Sequence, residues 1–97
     1  MIILDTNVLS ELMQVAPAPT VVHWLDGQAP ESIWITSITL FETRYGIGLL
    51  AKGKRRTALE IAFEELLEVD LGNRVLDFDA DAAREAAMLA AQSHKAG

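Results

Sequence analysis

Residues 1–13, MIILDTNVLSELM, decide how the rest of the chain is read. Ile2, Ile3 and Leu4 leave no polar face, so residues 1–4 predict a short, fully buried strand of the kind found in parallel sheets. Directly after it come Asp5, Thr6 and Asn7. Val8, Leu9 and Leu12 then recur at helical spacing, and Asp5 or Thr6 can cap that helix. An acid at the carboxyl end of a parallel strand is also where an α/β sheet collects its ligands. From spacing alone, both readings of Asp5 stand.

Working outward, Pro17 and Pro19 end the first helix, and a second is predicted from about Thr20 to Gly27. IWIT at residues 33–36 is β-branched and aromatic and predicts a second strand. Ser37 or Thr39 caps a helix running to about Leu50. Gly53 and its basic neighbours predict a turn. From Thr57 to Val69, Leu59, Ala62, Phe63, Leu66 and Leu67 follow the i, i+3, i+4, i+7, i+8 rule, with Glu60, Glu64 and Glu68 facing away. Arg74–Phe78 predicts a third strand. Asp79 caps a last helix whose small residues Ala83, Ala86, Ala87 and Ala90 favour close packing. This β-α-α-β-α-α-β-α order implies an α/β fold with a central parallel sheet covered by helices, in one domain spanning 1–97.

Composition narrows the function. A chain of 97 residues buries roughly 65% of its unfolded surface, and 51% apolar content suffices for a core. The absence of cysteine removes disulfides and thiolate metal sites, in keeping with a cytoplasmic protein. No basic n-region or membrane-length apolar run is present. A formal charge of −6 disfavours bulk polyanion binding. Yet five of the eight basic residues, Arg44, Lys52, Lys54, Arg55 and Arg56, fall between positions 44 and 56. They form either a local basic patch or a solvated helix end and loop.

The architecture can bring two carboxylates together: Asp5 after the first strand, and Glu42 early in the helix after the second. Two such groups about 4 Å apart repel by about 4 kcal/mol at an effective dielectric near 20, so they need a shared proton or a cation. Hard oxygen ligands favour Mg²⁺ or Mn²⁺, and the lack of cysteine and scarcity of histidine disfavour zinc. Glu42 is equally an acid favoured by a helix dipole. Other sites fit less well. DTN replaces the glycines of a nucleotide-binding loop, Asn7 stands where an aspartyl-phosphate enzyme would place its second acid, and His23 and His94 lack a nucleophile partner. Asp77, Asp79 and Asp81 lack the glycine and distal glutamate of a calcium loop and read as helix-capping acids.

MIILDTNVLSEL together with ITSITLFETRYGIGLLAKGKRR (residues 35–56) resembles the PIN-domain family, within it the VapC/FitB-like plasmid-stability toxins of bacterial toxin–antitoxin systems. The element order and the FDADAAREAAMLAA helix extend the likeness over the chain. The resemblance implies a three-layer α/β/α fold and a Mg²⁺- or Mn²⁺-dependent endoribonuclease. Asp5 and Glu42 match its catalytic, metal-holding acids, and Thr6 and Asn7 match the polar residues that support them. The basic stretch from Arg44 to Arg56 would contact RNA or antitoxin. A cognate antitoxin, contact with operator DNA only through the antitoxin complex, and a homodimer are the implied assemblies. The family pattern continues through a further helix–strand region bearing a third and a fourth acid, which these 97 residues lack. The expectation is therefore a truncated domain with impaired activity, or, as the alternative, a non-catalytic antitoxin-binding module.

Overall fold

The structure, a computed structural model, describes residues 1–96. Three strands, β1 (Ile2–Ile3), β2 (Ile33–Thr36) and β3 (Val75–Leu76), form a parallel sheet in the order β1-β2-β3. Ile2 pairs with Ile33 and Ile3 with Trp34, while Ile35 pairs with Val75. Side chains alternate between the faces of a strand, so this register gathers Ile2, Leu4, Ile33, Ile35 and Val75 on one side. That side is the core. Leu4, Ile33 and Ile35 are buried there with Leu9, Ile47, Phe63, Leu66, Leu67 and Leu71. Ile3 falls on the opposite face and is 48% exposed, which corrects the expectation of a strand buried throughout. Three apolar residues in a row carry no record of which face is covered.

The first crossover contains α1 (Thr6–Leu12) and α2 (Pro19–Asp26), followed by a 3₁₀ turn, Pro30–Ser32. Asp5 caps α1, its Oδ1 accepting from the Val8 N–H at 2.8 Å. The connection to α2 is closed by Glu11, whose Oε1 accepts from the Ala18 N–H at 2.7 Å. Pro19 opens α2, where its missing N–H costs nothing. After β2, Thr36 caps α3 (Ser37–Gly48) by accepting from the Thr39 N–H. The Ser37 hydroxyl accepts from the Phe78 N–H at 2.9 Å and ties the end of β3 to the start of α3.

The basic cluster is not a turn. Helix α4 (Lys54–Glu65) starts at Lys54, so Lys54, Arg55 and Arg56 form its first turn. Cations oppose the helix dipole there, and the Gly53 cap offers no side chain. Arg56 compensates by donating to Glu60 and to the Leu50 carbonyl, each at 3.3 Å. Beyond Glu65 the chain widens into a π turn, Leu66–Asp70, which inserts Leu66 and Leu67 into the core. Helix α5 (Ala80–Ala96) begins at Asp79, which accepts from the Ala82 N–H. Its expected small-residue packing face is only partly used: Ala83 and Ala86 are half-buried, whereas Ala87 and Ala90 are exposed.

Candidate active site

The carboxyl ends of β1 and β2 lie side by side, and the ladder continues to the Leu4 N–H, which donates to the Trp34 carbonyl at 2.9 Å. Asp5 therefore leaves β1 level with the end of β2, where α3 begins. Asp5 is exposed. Its Oδ1 is engaged by the cap, which leaves Oδ2 for another partner. The two readings of Asp5 are compatible: one carboxylate oxygen caps α1, and the cap does not use the other.

Glu42 sits in the second turn of α3, is exposed, and has no hydrogen bond or ion pair among the described residues. It lines a cleft of about 730 Å³ between α1, α3 and α4. Thr6 and Ser10 contribute the α1 wall, and Arg55 stands on the α4 side. Between these polar groups the wall is apolar, with Met13, Ile47, Leu50 and Leu59. Buried Thr43 also lines it, and the Thr43 hydroxyl finds no partner among the described residues. Neither the cleft's apolar wall nor Thr43 emerges from the motifs. The available clue was that ITLFETRYGIGLL is apolar on more than one side, as a helix packed on more than one side must be.

Thr6 contributes by lining the cleft, and Asn7 is exposed at the start of α1; neither side chain makes a hydrogen bond among the described residues. The five basic residues divide. Arg44 is already engaged, donating to Glu64 at 2.6 Å with its guanidinium 5.1 Å from the centroid of the Phe63 ring. It braces α3 against α4. Arg56 is held by Glu60 and Leu50. Lys52, Lys54 and Arg55 remain exposed at the start of α4, and Arg55 alone among the five lines the cleft.

The donor chemistry suits a hard cation. Asp5 and Glu42 offer carboxylate oxygens without nitrogen or sulfur ligands, and no cluster of three or more acids or histidines exists among the described residues. Carboxylate oxygens are the donor type that Mg²⁺ and Mn²⁺ prefer. No helix among the described residues is long and apolar enough to cross a membrane.

The chain is similar to known proteins over most of its length. The PIN domain model matches residues 2–95. VapC ribonuclease Y4jK of Sinorhizobium fredii is 42% identical over 97 residues, which is all of this chain and 69% of that protein. Toxin FitB of Neisseria gonorrhoeae is 39% identical over 79 residues, 81% of this chain and 57% of FitB. Among solved structures, that of FitAB bound to an IR36 DNA fragment superposes with a TM-score of 0.73 at 38% identity, covering 87% of this chain and 59% of that one. With the PIN domain model covering almost the whole chain and VapC- and FitB-named relatives about 40% identical to it, the chain belongs to the PIN-domain family, on its VapC- and FitB-like branch.

Proposed function

We propose that this chain is the toxin component of a cytoplasmic toxin–antitoxin pair, built around a Mg²⁺- or Mn²⁺-dependent endoribonuclease site. The observation that carries the reading is that exposed Asp5 leaves β1 level with the end of β2, while exposed Glu42 stands in the second turn of the helix that follows β2. Asp5 through its uncapped oxygen and Glu42 would hold the cation. The ion, when bound, supplies Lewis acidity that offsets phosphodiester charge and acidifies water. Arg55 stands on the α4 side of the cleft that Glu42 and Thr6 also line, where its guanidinium would fix a phosphate and so orient the RNA backbone. Thr6 narrows the approach from the α1 side. With two protein carboxylates the ion remains mostly hydrated and weakly held, so the chain's own activity is expected to be low.

Calorimetric titration with Mg²⁺ and Mn²⁺ tests this. Weak binding that disappears in both Asp5→Asn and Glu42→Gln supports the site, and RNA cleavage, where present, should vanish with it. Unchanged metal affinity in both variants would overturn the assignment.

The apolar wall of Met13, Ile47, Leu50 and Leu59 favours a second role for the same cleft. Nucleotides gain little from such a surface, whereas an amphipathic protein segment gains much. That segment would belong to the antitoxin, and operator DNA would be reached only through the complex. If antitoxin binding is the chain's sole function, affinity should be unaffected by Asp5→Asn and Glu42→Gln.

A further inference from the structure

Two threonines are buried on the inner side of α3, one turn apart, and their hydroxyls fare differently. Thr39 is 6% exposed, and its hydroxyl accepts from the Thr36 hydroxyl at 3.3 Å. Thr43 is also 6% exposed, yet its hydroxyl has no partner among the described residues. The two differ in what they face. Thr39 is bonded to the last residue of β2, whereas Thr43 borders the cleft between α1, α3 and α4.

A buried hydroxyl without a partner loses its bonds to water and gains none in return. Valine has nearly the same shape and would occupy this position without that loss. Packing alone therefore gives no reason for a hydroxyl at residue 43. The helix does not supply one either. Threonine in a helix has two χ1 wells and can bond a carbonyl three or four residues back, but no such bond is present. The hydroxyl is thus free to turn toward whatever lies against α3 from the cleft side.

The rest of the cleft narrows the chemistry of that occupant. Met13, Ile47, Leu50 and Leu59 give it an apolar wall, while Glu42 and Arg55 are exposed and differ in sign. We propose that Thr43 selects the occupant. The side chain that anchors a protein segment here is an aromatic one with a polar tip, tryptophan or tyrosine, and that tip pairs with the Thr43 hydroxyl. The inference rests on the reading of the cleft as a docking site for a protein segment and adds the chemistry of the anchor. A leucine or phenylalanine anchor covers the wall but seals the hydroxyl away unpaired. A lysine or arginine is drawn to exposed Glu42 and would give up its hydration against the wall. An indole or phenol meets both demands, because its ring lies on the wall and its N–H or O–H reaches a hydroxyl able to donate or accept. Glu42 and Arg55 favour a segment that carries both signs of charge beside this anchor.

Indole and indene, in which a CH₂ replaces the N–H, stand in for the anchor and its apolar counterpart. Each is titrated into the full chain and followed by NMR on isoleucine and leucine methyl groups. Signals of Ile47, Leu50 and Leu59 should shift with both. Thr43→Val should weaken indole about tenfold, the scale of one buried hydrogen bond, and leave indene unchanged or tighter. It should melt no lower than the parent, since it removes an unpaired group. Thr43→Ser keeps the hydroxyl and should retain the parent's ratio of the two affinities. Indole affinity that survives Thr43→Val overturns the role of Thr43 and leaves the docking site standing. An equal loss of both compounds marks a change of shape and overturns it as well. Failure of both to move the cleft methyls of the parent overturns the anchor and the docking reading together. Neither metal nor RNA is involved, so the nuclease reading stands or falls separately.

Discussion

Arg74 shows how one side chain can join three parts of the backbone. Its Nε donates to the Ile33 carbonyl at 2.8 Å, and its Nη2 donates to the carbonyls of Pro30 and of Asp70. The start of β2, the 3₁₀ turn before it and the end of the π turn thus share a single cation. Hydrogen bonds to a charged group contribute more than neutral ones, so Arg74→Ala should cost about 2–4 kcal/mol in chemical denaturation. Arg74→Lys should restore less than half, because an ammonium cannot reach three separated carbonyls. Asp5 offers a complementary test. Asparagine caps a helix as well as aspartate does, so Asp5→Asn should leave stability within about 0.5 kcal/mol, while Asp5→Ala should lose about 1 kcal/mol. Metal affinity should fall in both, which separates cap from ligand. The cap role of Asp5 was legible because an acid between an apolar strand and a helical repeat is a positional signal. The role of Arg74 was not, since its partners at Ile33 and Pro30 lie 41 and 44 residues away.

At the scale of elements, the sequence pattern anticipated the three strands and five α-helices but not the 3₁₀ turn Pro30–Ser32 or the start of α4 at Lys54, and the departures arise where backbone detail decides. The stripe from Leu59 to Leu67 reads as one helix, yet it passes into a π turn at Leu66 because Leu66, Leu67 and Leu71 are all drawn into the core. That turn ends at Asp70, whose carboxyl is pushed above the usual carboxylate range by burial and then by repulsion from Glu65 and Asp26. The folded chain therefore holds this proton more tightly than the unfolded chain. Its contribution to stability rises as pH falls from the raised value toward the ordinary one, and is a constant penalty above both. Asp70→Asn should accordingly stabilise the protein at neutral pH, with the gain fading as pH is lowered through that window in parallel melts of the two proteins. Gly46 makes a second element-level case. It lies inside α3 with open space around it and lines the cleft. Gly46→Ala should stabilise the helix by about 0.5–1 kcal/mol, while its methyl narrows the cleft and, on the proposed antitoxin reading, should weaken antitoxin binding. Opposite signs in thermal melting and in binding titration are the expected pattern.

For the whole molecule, the uneven distribution of charge matters more than its total. The chain carries −6 overall, but three exposed cations, Lys52, Lys54 and Arg55, sit together around the start of α4, while exposed Asp5 follows β1 and exposed Glu42 lies in the second turn of α3, whose outer stripe Ile38, Phe41, Tyr45 and Leu49 is exposed and apolar. The sequence showed the basic run and the acids, but could not show that this stripe is exposed, because that depends on which side of α3 faces the core. If the stripe seats the homodimer that the family resemblance implies, folding and association are linked: only the folded chain presents Ile38, Phe41, Tyr45 and Leu49 in line, so association adds stability by mass action. The melting temperature should then rise with protein concentration. Phe41→Glu should remove that dependence while leaving the dilute-limit melting temperature close to the parent's, since residue 41 is solvent-facing in the single chain. Salt acts in a defined direction as well. Screening weakens contacts between charges and leaves those of an apolar stripe intact, so the concentration dependence should persist at high ionic strength. A melting temperature independent of concentration in the parent protein would show that the stripe is not paired with itself.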